Sequence, residues 1–127
     1  MRQESARINT NEQLVHEYFN RISENPASTL ELFTNDAVVY EPFSGDKALH
    51  GRDEIAYFLK VARIANQGFQ KEIRIAASNK DSVEAVVQFT KGESIIGKFQ
   101  FRTGDSQSRK GTREKKIKEL RIQFLTR

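Results

Sequence analysis

Residues 32–51 read LFTNDAVVYEPFSGDKALHG, and this stretch decides the fold that the chain predicts. A short helix is predicted to end at Phe33, and a Thr-Asn-Asp turn follows it. The compact run 37–40 then predicts a β-strand, because it consists of residues that favour extended backbone. A loop over 43–50 leads to a further helix that begins at Gly51. The stretch therefore predicts a strand between two helices.

Glu41 is the candidate catalytic residue of this stretch. Pro42 follows it, and a proline cannot donate a hydrogen bond to a sheet and holds the preceding residue in extended geometry. Glu41 is therefore predicted at the end of the strand. A carboxylate at the mouth of an apolar cavity is a candidate general base. The alternative is a solvated carboxylate at a strand end, since glutamates are rarely fully buried.

The residues on either side of this stretch predict three helices in all. Thr10 and Gln13 form a capping-box pattern, and apolar residues then recur at helical spacing as far as Ile22. Asn25-Pro26 is the start signal of the short second helix. The third helix is predicted over 51–65, with an apolar inner face.

From Phe69 onward the apolar period becomes two, which predicts four strands joined by short connections. A polar stretch over 104–113 is interpreted as a loop between the last two strands. One apolar face per strand indicates an antiparallel sheet with one buried side, and three helices must cover it. The order therefore predicts an α+β layered fold.

Composition limits the classes of function. With 127 residues the chain is long enough for one core, and no apolar run approaches the roughly 20 residues of a membrane helix. The absence of cysteine excludes disulfides and thiolate chemistry and favours a cytoplasmic protein. Residues 98–127 carry ten Lys and Arg against three Asp and Glu. We interpret these charges as solvated strand and loop positions, and we expect any nucleic-acid binding to be weak and electrostatic.

The chain resembles the superfamily of nuclear transport factor two, ketosteroid isomerase and the SnoaL-like polyketide cyclases. LVHEYFNRI in the first helix, ELFTNDAVVYEP around the first strand and HGRDEIAYFL in the third helix carry this resemblance. It covers about residues 12–124 and implies a single SnoaL-like domain over 1–127. It also implies a cone-shaped, cystatin-like α+β fold, with three N-terminal helices packed on a curved, mainly antiparallel sheet. This fold hosts both enzymes and binding modules.

The resemblance to ketosteroid isomerase implies roles for individual residues. Glu41 matches the acidic residue before proline that shuttles the proton, and Tyr18 matches the first-helix tyrosine that donates a hydrogen bond to the oxyanion. The alternative for Tyr18 is a core residue whose hydroxyl bonds to backbone. The family's second oxyanion donor is replaced by Gly97. Since loss of one donor costs on the order of 10²–10³ in rate, we expect poor activity on a standard ketosteroid.

A pocket lining is predicted from the aromatic residues and this glycine: Phe43, Phe58, Gly97, Phe99 and Phe101. The alternative is that these phenylalanines only fill the core. The partner expected from this lining is a small apolar molecule, with no cofactor and no metal, because neither the two histidines nor any motif has metal-ligand spacing. An isomerase- or cyclase-type enzyme and a non-catalytic binding or scaffold domain both remain open. Val86 and Ile96, on the opposite face of the sheet, predict a homodimer.

Overall fold

The computed structural model describes Ile8 and residues 10–42, 47–107 and 113–125. Its helices are α1 (Asn11–Glu24), α2 (Pro26–Leu30) and α3 (Gly51–Asn66). Its strands are β1 (Phe33–Tyr40), β2 (Ala48–His50), β3 (Gln70–Ser78), β4 (Ser82–Lys91), β5 (Glu93–Gln107) and β6 (Arg113–Leu125). No helix in these ranges combines the length and the apolar character needed to cross a membrane.

The six strands form one sheet in the order β2-β1-β6-β5-β4-β3. All neighbouring pairs are antiparallel except β1 and β6, which run parallel. Register shifts interrupt the ladders within β1, β3 and β5, and such irregularities bend strands and increase their twist. The structure confirms the predicted α+β class, with a curved, mainly antiparallel sheet and helices that cover it.

The core lies between the helices and one face of the sheet. On β4, Val83, Ala85, Val87 and Phe89 are buried, as their period-two spacing predicts. The opposite positions of the same strand are half-buried or exposed. Helix α1 contributes its apolar stripe to the same core, including Leu14, Val15, Tyr18, Phe19 and Ile22. Burial of this stripe is what fixes α1 on the sheet, since helices in proteins owe most of their stability to packing.

The predicted helix starts are confirmed. The Thr10 hydroxyl accepts from the Gln13 backbone N–H, and the Gln13 side chain accepts from the Thr10 N–H. The Asn25 side chain accepts from two backbone N–H groups in the first turn of α2. Gly51 begins α3 at φ 84°, a backbone conformation that costs glycine little.

The region between α2 and β1 corrects the sequence interpretation. Helix α2 ends at Leu30, and Phe33 is the first residue of β1 rather than the end of a helix. Residues 34–36, which were expected to form a turn, lie within this strand. The backbone N–H of Ile117 donates to Leu32 O at 2.7 Å, and Phe33 is opposite Ile117 in the ladder. The ladder with β6 resumes at Val38 after a register shift, so pairing on both sides of 34–36 includes this segment in the strand as an irregular stretch.

Two further strand segments were not predicted. Residues 48–50, expected in a loop, form β2 and pair with 38–40 of β1. Residues 104–107 and 113 belong to strands β5 and β6 rather than to a loop, with Gly104 opposite Lys116. A ladder is held by backbone hydrogen bonds, so polar segments can extend it without an apolar alternation.

Candidate functional site

A cavity of about 400 Å³ lies between α1, α3 and the inner face of the sheet. Helix α1 lines it with Tyr18, Phe19 and Ile22, and α3 lines it with four residues from Phe58 to Asn66. Strands β4, β5 and β6 supply most of the remaining wall, which is made of phenylalanine and isoleucine side chains. The volume lies within the range of pockets that hold small molecules in proteins.

Small side chains keep part of this volume open. Ala62 and Ala65 line the cavity from the last two turns of α3. Larger apolar residues at such positions would extend towards the sheet and fill the space, as they do in close-packed interiors. The two small alanine side chains on α3 thus leave part of the cavity volume open.

Tyr18 lies in the cavity wall and is 2% exposed. Its ring makes edge contacts with Phe19 at 5.0 Å and Phe101 at 5.6 Å between centroids, which fix its orientation. Among the described residues, no group forms a hydrogen bond with its hydroxyl. Burial raises the pKa of Tyr18 above its ordinary value, so the hydroxyl stays protonated at neutral pH and is able to donate to a ligand.

Glu41 is buried at 7% exposure and follows the last residue of β1. Val39, two residues earlier, is likewise buried. This burial argues against the alternative that Glu41 is a solvated carboxylate. Pro42 lines the cavity directly, whereas Glu41 itself does not. Tyr40 faces the other side of the sheet, where Arg121 lies 4.0 Å from its ring centroid.

Gly97 does not line the cavity, which corrects the expectation from sequence. A Cβ at this position would lie 2.9 Å from Phe99 Cε1, 3.2 Å from Phe124 Cε1 and 3.3 Å from Phe89 Cε2. Three phenyl rings therefore close over the glycine. The space that a side chain would occupy is filled by aromatic carbon, and no second oxyanion donor can stand there without displacing a ring.

Of the other predicted lining residues, some line the cavity and some do not. Phe58 and Phe99 line the cavity. Phe101 is not among the lining residues; it is 1% exposed, and its ring packs against that of Tyr18. Phe43 lies outside the described residues. The two histidines lie apart from the cavity, since His16 is exposed on α1 and His50 is exposed at the start of α3.

Asn66 is a lining residue that was not predicted, since the third helix was predicted only over 51–65 and α3 extends to Asn66. It follows Phe58 and Ala62 at steps of four residues, and all three line the cavity. That spacing places them in one column on the helix face that packs inward. A polar residue in an inward-facing column was the available signal. Of the described lining residues, only Tyr18 and Asn66 have polar side-chain atoms.

The described residues that line the cavity carry no charged side chain. No lysine, arginine, aspartate or glutamate is among the described residues that line the cavity. Within the described ranges, no group of three His, Asp or Glu side chains is arranged to hold a metal ion. The arrangement is suited to an uncharged, mainly apolar molecule with one or two polar atoms.

Comparisons with known proteins give a likeness of structure only. No family model matches the chain, and no curated protein matches it. A ketosteroid isomerase-like protein from Erwinia carotovora atroseptica superposes with a TM-score of 0.65 and 16% identity, over 91% of this chain and 94% of that chain. The epoxide hydrolase/cyclase-like enzyme SalBIII gives a TM-score of 0.61 and 17% identity, over 91% and 90%.

A third solved structure is an uncharacterised protein from Silicibacter pomeroyi with a cystatin-like fold. It superposes with a TM-score of 0.63 and 16% identity, over 89% of this chain and 74% of that chain. At such identities the likeness shows the fold and not the activity. The chain therefore has a cystatin-like α+β fold, which it shares with these three solved structures.

Proposed function

We propose that the protein binds a small, uncharged and mainly apolar molecule in the cavity between its helices and its sheet. The observation that carries this proposal is the open volume of about 400 Å³ with an almost wholly apolar lining. Transfer of an apolar molecule from water into such a space is favourable in proportion to the area that it buries. The aromatic rings of the lining add contacts to flat, cyclic molecules.

The binding is tested with N-phenyl-1-naphthylamine, an uncharged apolar molecule whose fluorescence rises on leaving water. We expect saturable binding at one site per chain. Ala62→Phe fills the cavity and is expected to weaken binding about tenfold or more, a change of about 1.4 kcal/mol or above. Val61→Phe is the matched control, because Val61 is the neighbouring residue on α3 but is exposed and does not line the cavity. Equal binding by both variants would contradict the proposal.

A second candidate function is cofactor-free proton transfer on a carbonyl compound in the same cavity. The specific observation in its favour is that Glu41 is buried and directly precedes Pro42, which lines the cavity together with Tyr18, although Glu41 itself does not line it. The Glu41 carboxylate would take a proton from the carbon next to the carbonyl group. The electron pair of that C–H bond would form a carbon–carbon double bond, and the π pair of the carbonyl group would move onto its oxygen, which Tyr18 would stabilise by donating a hydrogen bond.

This candidate is tested by proton–deuterium exchange next to the carbonyl in a panel of small cyclic ketones. We expect Glu41→Gln to abolish exchange while it preserves ligand binding, since the amide keeps the shape but not the base. Tyr18→Phe should lower the rate about a hundredfold, because it removes one donor and leaves the base. Glu24→Gln, at an exposed position of α1, is the control. Exchange at the same rate in Glu41→Gln and in the unsubstituted protein would exclude the catalytic role and leave the binding function.

A further inference from the structure

The exposed fractions of the lining side chains show where the cavity opens. Lining residues on α1 and in the middle of the sheet are buried, for example Phe19 and Phe99. Ile95 is 43% exposed and Phe124 is 37% exposed, although both also line the cavity. Ala65, on the last turn of α3, is a further exposed lining residue. Residues that touch the cavity and the solvent at once mark its mouth, so the mouth lies between the end of α3, the start of β5 and the end of β6.

The rim of this mouth, formed by Ala65, Ile95 and Phe124, is apolar and continuous with the inner wall. Phe89 connects the two, because it is buried in the wall and lies opposite Ile95 in the β4–β5 ladder. The ring centroid of Phe89 is also 6.4 Å from that of Phe124. The wall between the inner cavity and the rim is therefore made of aromatic and aliphatic side chains. Exposed apolar side chains that continue a binding groove are typical of a surface that a bound molecule covers.

We propose that the ligand is longer than the cavity: a neutral molecule with an apolar chain that passes through the mouth and lies on the rim. This inference rests on the proposed binding function and names its ligand class. Such a chain removes from water both its own methylene groups and the exposed parts of Ile95 and Phe124, which a ligand confined to the cavity leaves in water.

The charged side chains beside the rim favour a neutral chain over an ion. Lys91 and Glu93 are opposite each other in the β4–β5 hairpin, at the end of the sheet that holds Ile95. The Lys91 ammonium lies 5.5 Å from the ring centroid of Phe69, a lining residue. Since the two charges are opposite in sign and belong to the same hairpin, together they give an ionised ligand little net attraction to offset the hydration that it loses.

A second copy of the chain is the competing occupant of the rim. A standard protein interface buries roughly 800 Å² on each partner, which three partly exposed side chains do not supply. Ile96, the apolar residue expected in the dimer, alternates with Ile95 along β5 and so faces the other side of the sheet. A dimer through that side of the sheet leaves the rim open to a ligand.

The experiment compares prodan and laurdan, two neutral naphthalene dyes that differ only in the length of an unbranched acyl chain. Prodan carries a propionyl chain and laurdan a dodecanoyl chain, and the emission of both dyes shifts to shorter wavelength on leaving water. Each is titrated with protein at a dye concentration too low for laurdan to aggregate. A fully buried methylene group is worth about fourfold in affinity, and less on a rim that stays partly in water, so we expect laurdan to bind about a hundredfold more tightly than prodan.

Ile95→Thr and Ile96→Thr form a matched pair of variants. These neighbouring residues are 43% and 39% exposed, but only Ile95 lines the cavity. Ile95→Thr places a hydroxyl on the rim and should weaken laurdan binding about tenfold and prodan binding less than about twofold. Ile96→Thr should leave the affinity for both dyes unchanged. Ala62→Phe should weaken the binding of both, because it fills the space that both dyes enter.

The outcomes separate this inference from the proposed binding function. Equal affinities for the two dyes, or an equal loss of both in Ile95→Thr, would overturn the role of the rim and leave the binding function intact. Laurdan binding that survives Ala62→Phe would also overturn it, since the exposed surface alone would then hold the chain. A lower mass of Ile95→Thr in light scattering would assign the rim to a second copy and count against the proposal. If neither dye binds, the binding function fails, and this inference fails with it.

Discussion

Replacement of Tyr18 by phenylalanine separates a functional hydroxyl from a structural one. The hydroxyl is buried, and no described group forms a hydrogen bond with it. Removal of a structural hydroxyl would leave a partner without its bond and destabilise the fold by about 1–3 kcal/mol. Since no partner among the described residues is lost, we expect Tyr18→Phe to leave the free energy of unfolding at pH 7 unchanged or slightly raised.

The same substitution should change how stability depends on alkaline pH. Burial raises the pKa of Tyr18 in the folded state above the ordinary value of 10.0. Above pH 10 the unfolded chain therefore releases the tyrosine proton while the folded chain retains it. The folded state then binds more protons than the unfolded state, so stability falls as pH rises. Ionisation of this tyrosine in the unfolded chain lowers the free energy of unfolding by about 0.4 kcal/mol at pH 10 and by about 1.4 kcal/mol at pH 11.

The assay is urea denaturation at intervals from pH 7 to pH 11, followed by circular dichroism. Other groups titrate in this range, so the measured quantity is the difference in unfolding free energy between Tyr18→Phe and the unsubstituted protein. This difference should grow by about 1.4 kcal/mol in favour of the variant by pH 11. Tyr57→Phe, at a position that is 70% exposed, should show no such growth. A constant difference for Tyr18→Phe, or a loss above about 1 kcal/mol at pH 7, would refute the reasoning.

Three further outcomes are expected. Gly97→Ala should lower the free energy of unfolding by about 1–3 kcal/mol, because its Cβ would lie 2.9 Å from a phenylalanine ring carbon; chemical denaturation measures this, and an unchanged midpoint would contradict it. Asn11→Ala should cost about 1–3 kcal/mol, since the buried side chain bonds to a threonine and to the β3–β4 turn. Asn20→Ala, at an exposed position, should cost little. Light scattering at micromolar concentration should give a dimer mass that Val86→Lys with Ile96→Lys reduces to a monomer mass.

The elements that depend on consecutive residues were predicted from the sequence. The capping box at Thr10 and the start of α2 at Asn25 are local hydrogen-bond patterns, and the structure has both. The alternation on β4 is equally local, because one buried face imposes a period of two. The fold class follows from the order of these elements. The burial of Tyr18 follows from its place on the apolar stripe of α1.

The parts that depend on remote segments were decided by the tertiary structure. Phe33 and residues 38–40 of β1 pair with β6 far along the chain, and 48–50 form β2 because they pair with 38–40 across a loop. The rings that close over Gly97 come from β4, β5 and β6, and no local pattern shows that they converge. The open volume beside Asn66 likewise exists only where α1, α3 and the sheet meet. Local sequence specifies which face of each element is apolar, whereas the space left between those faces is a property of how they pack.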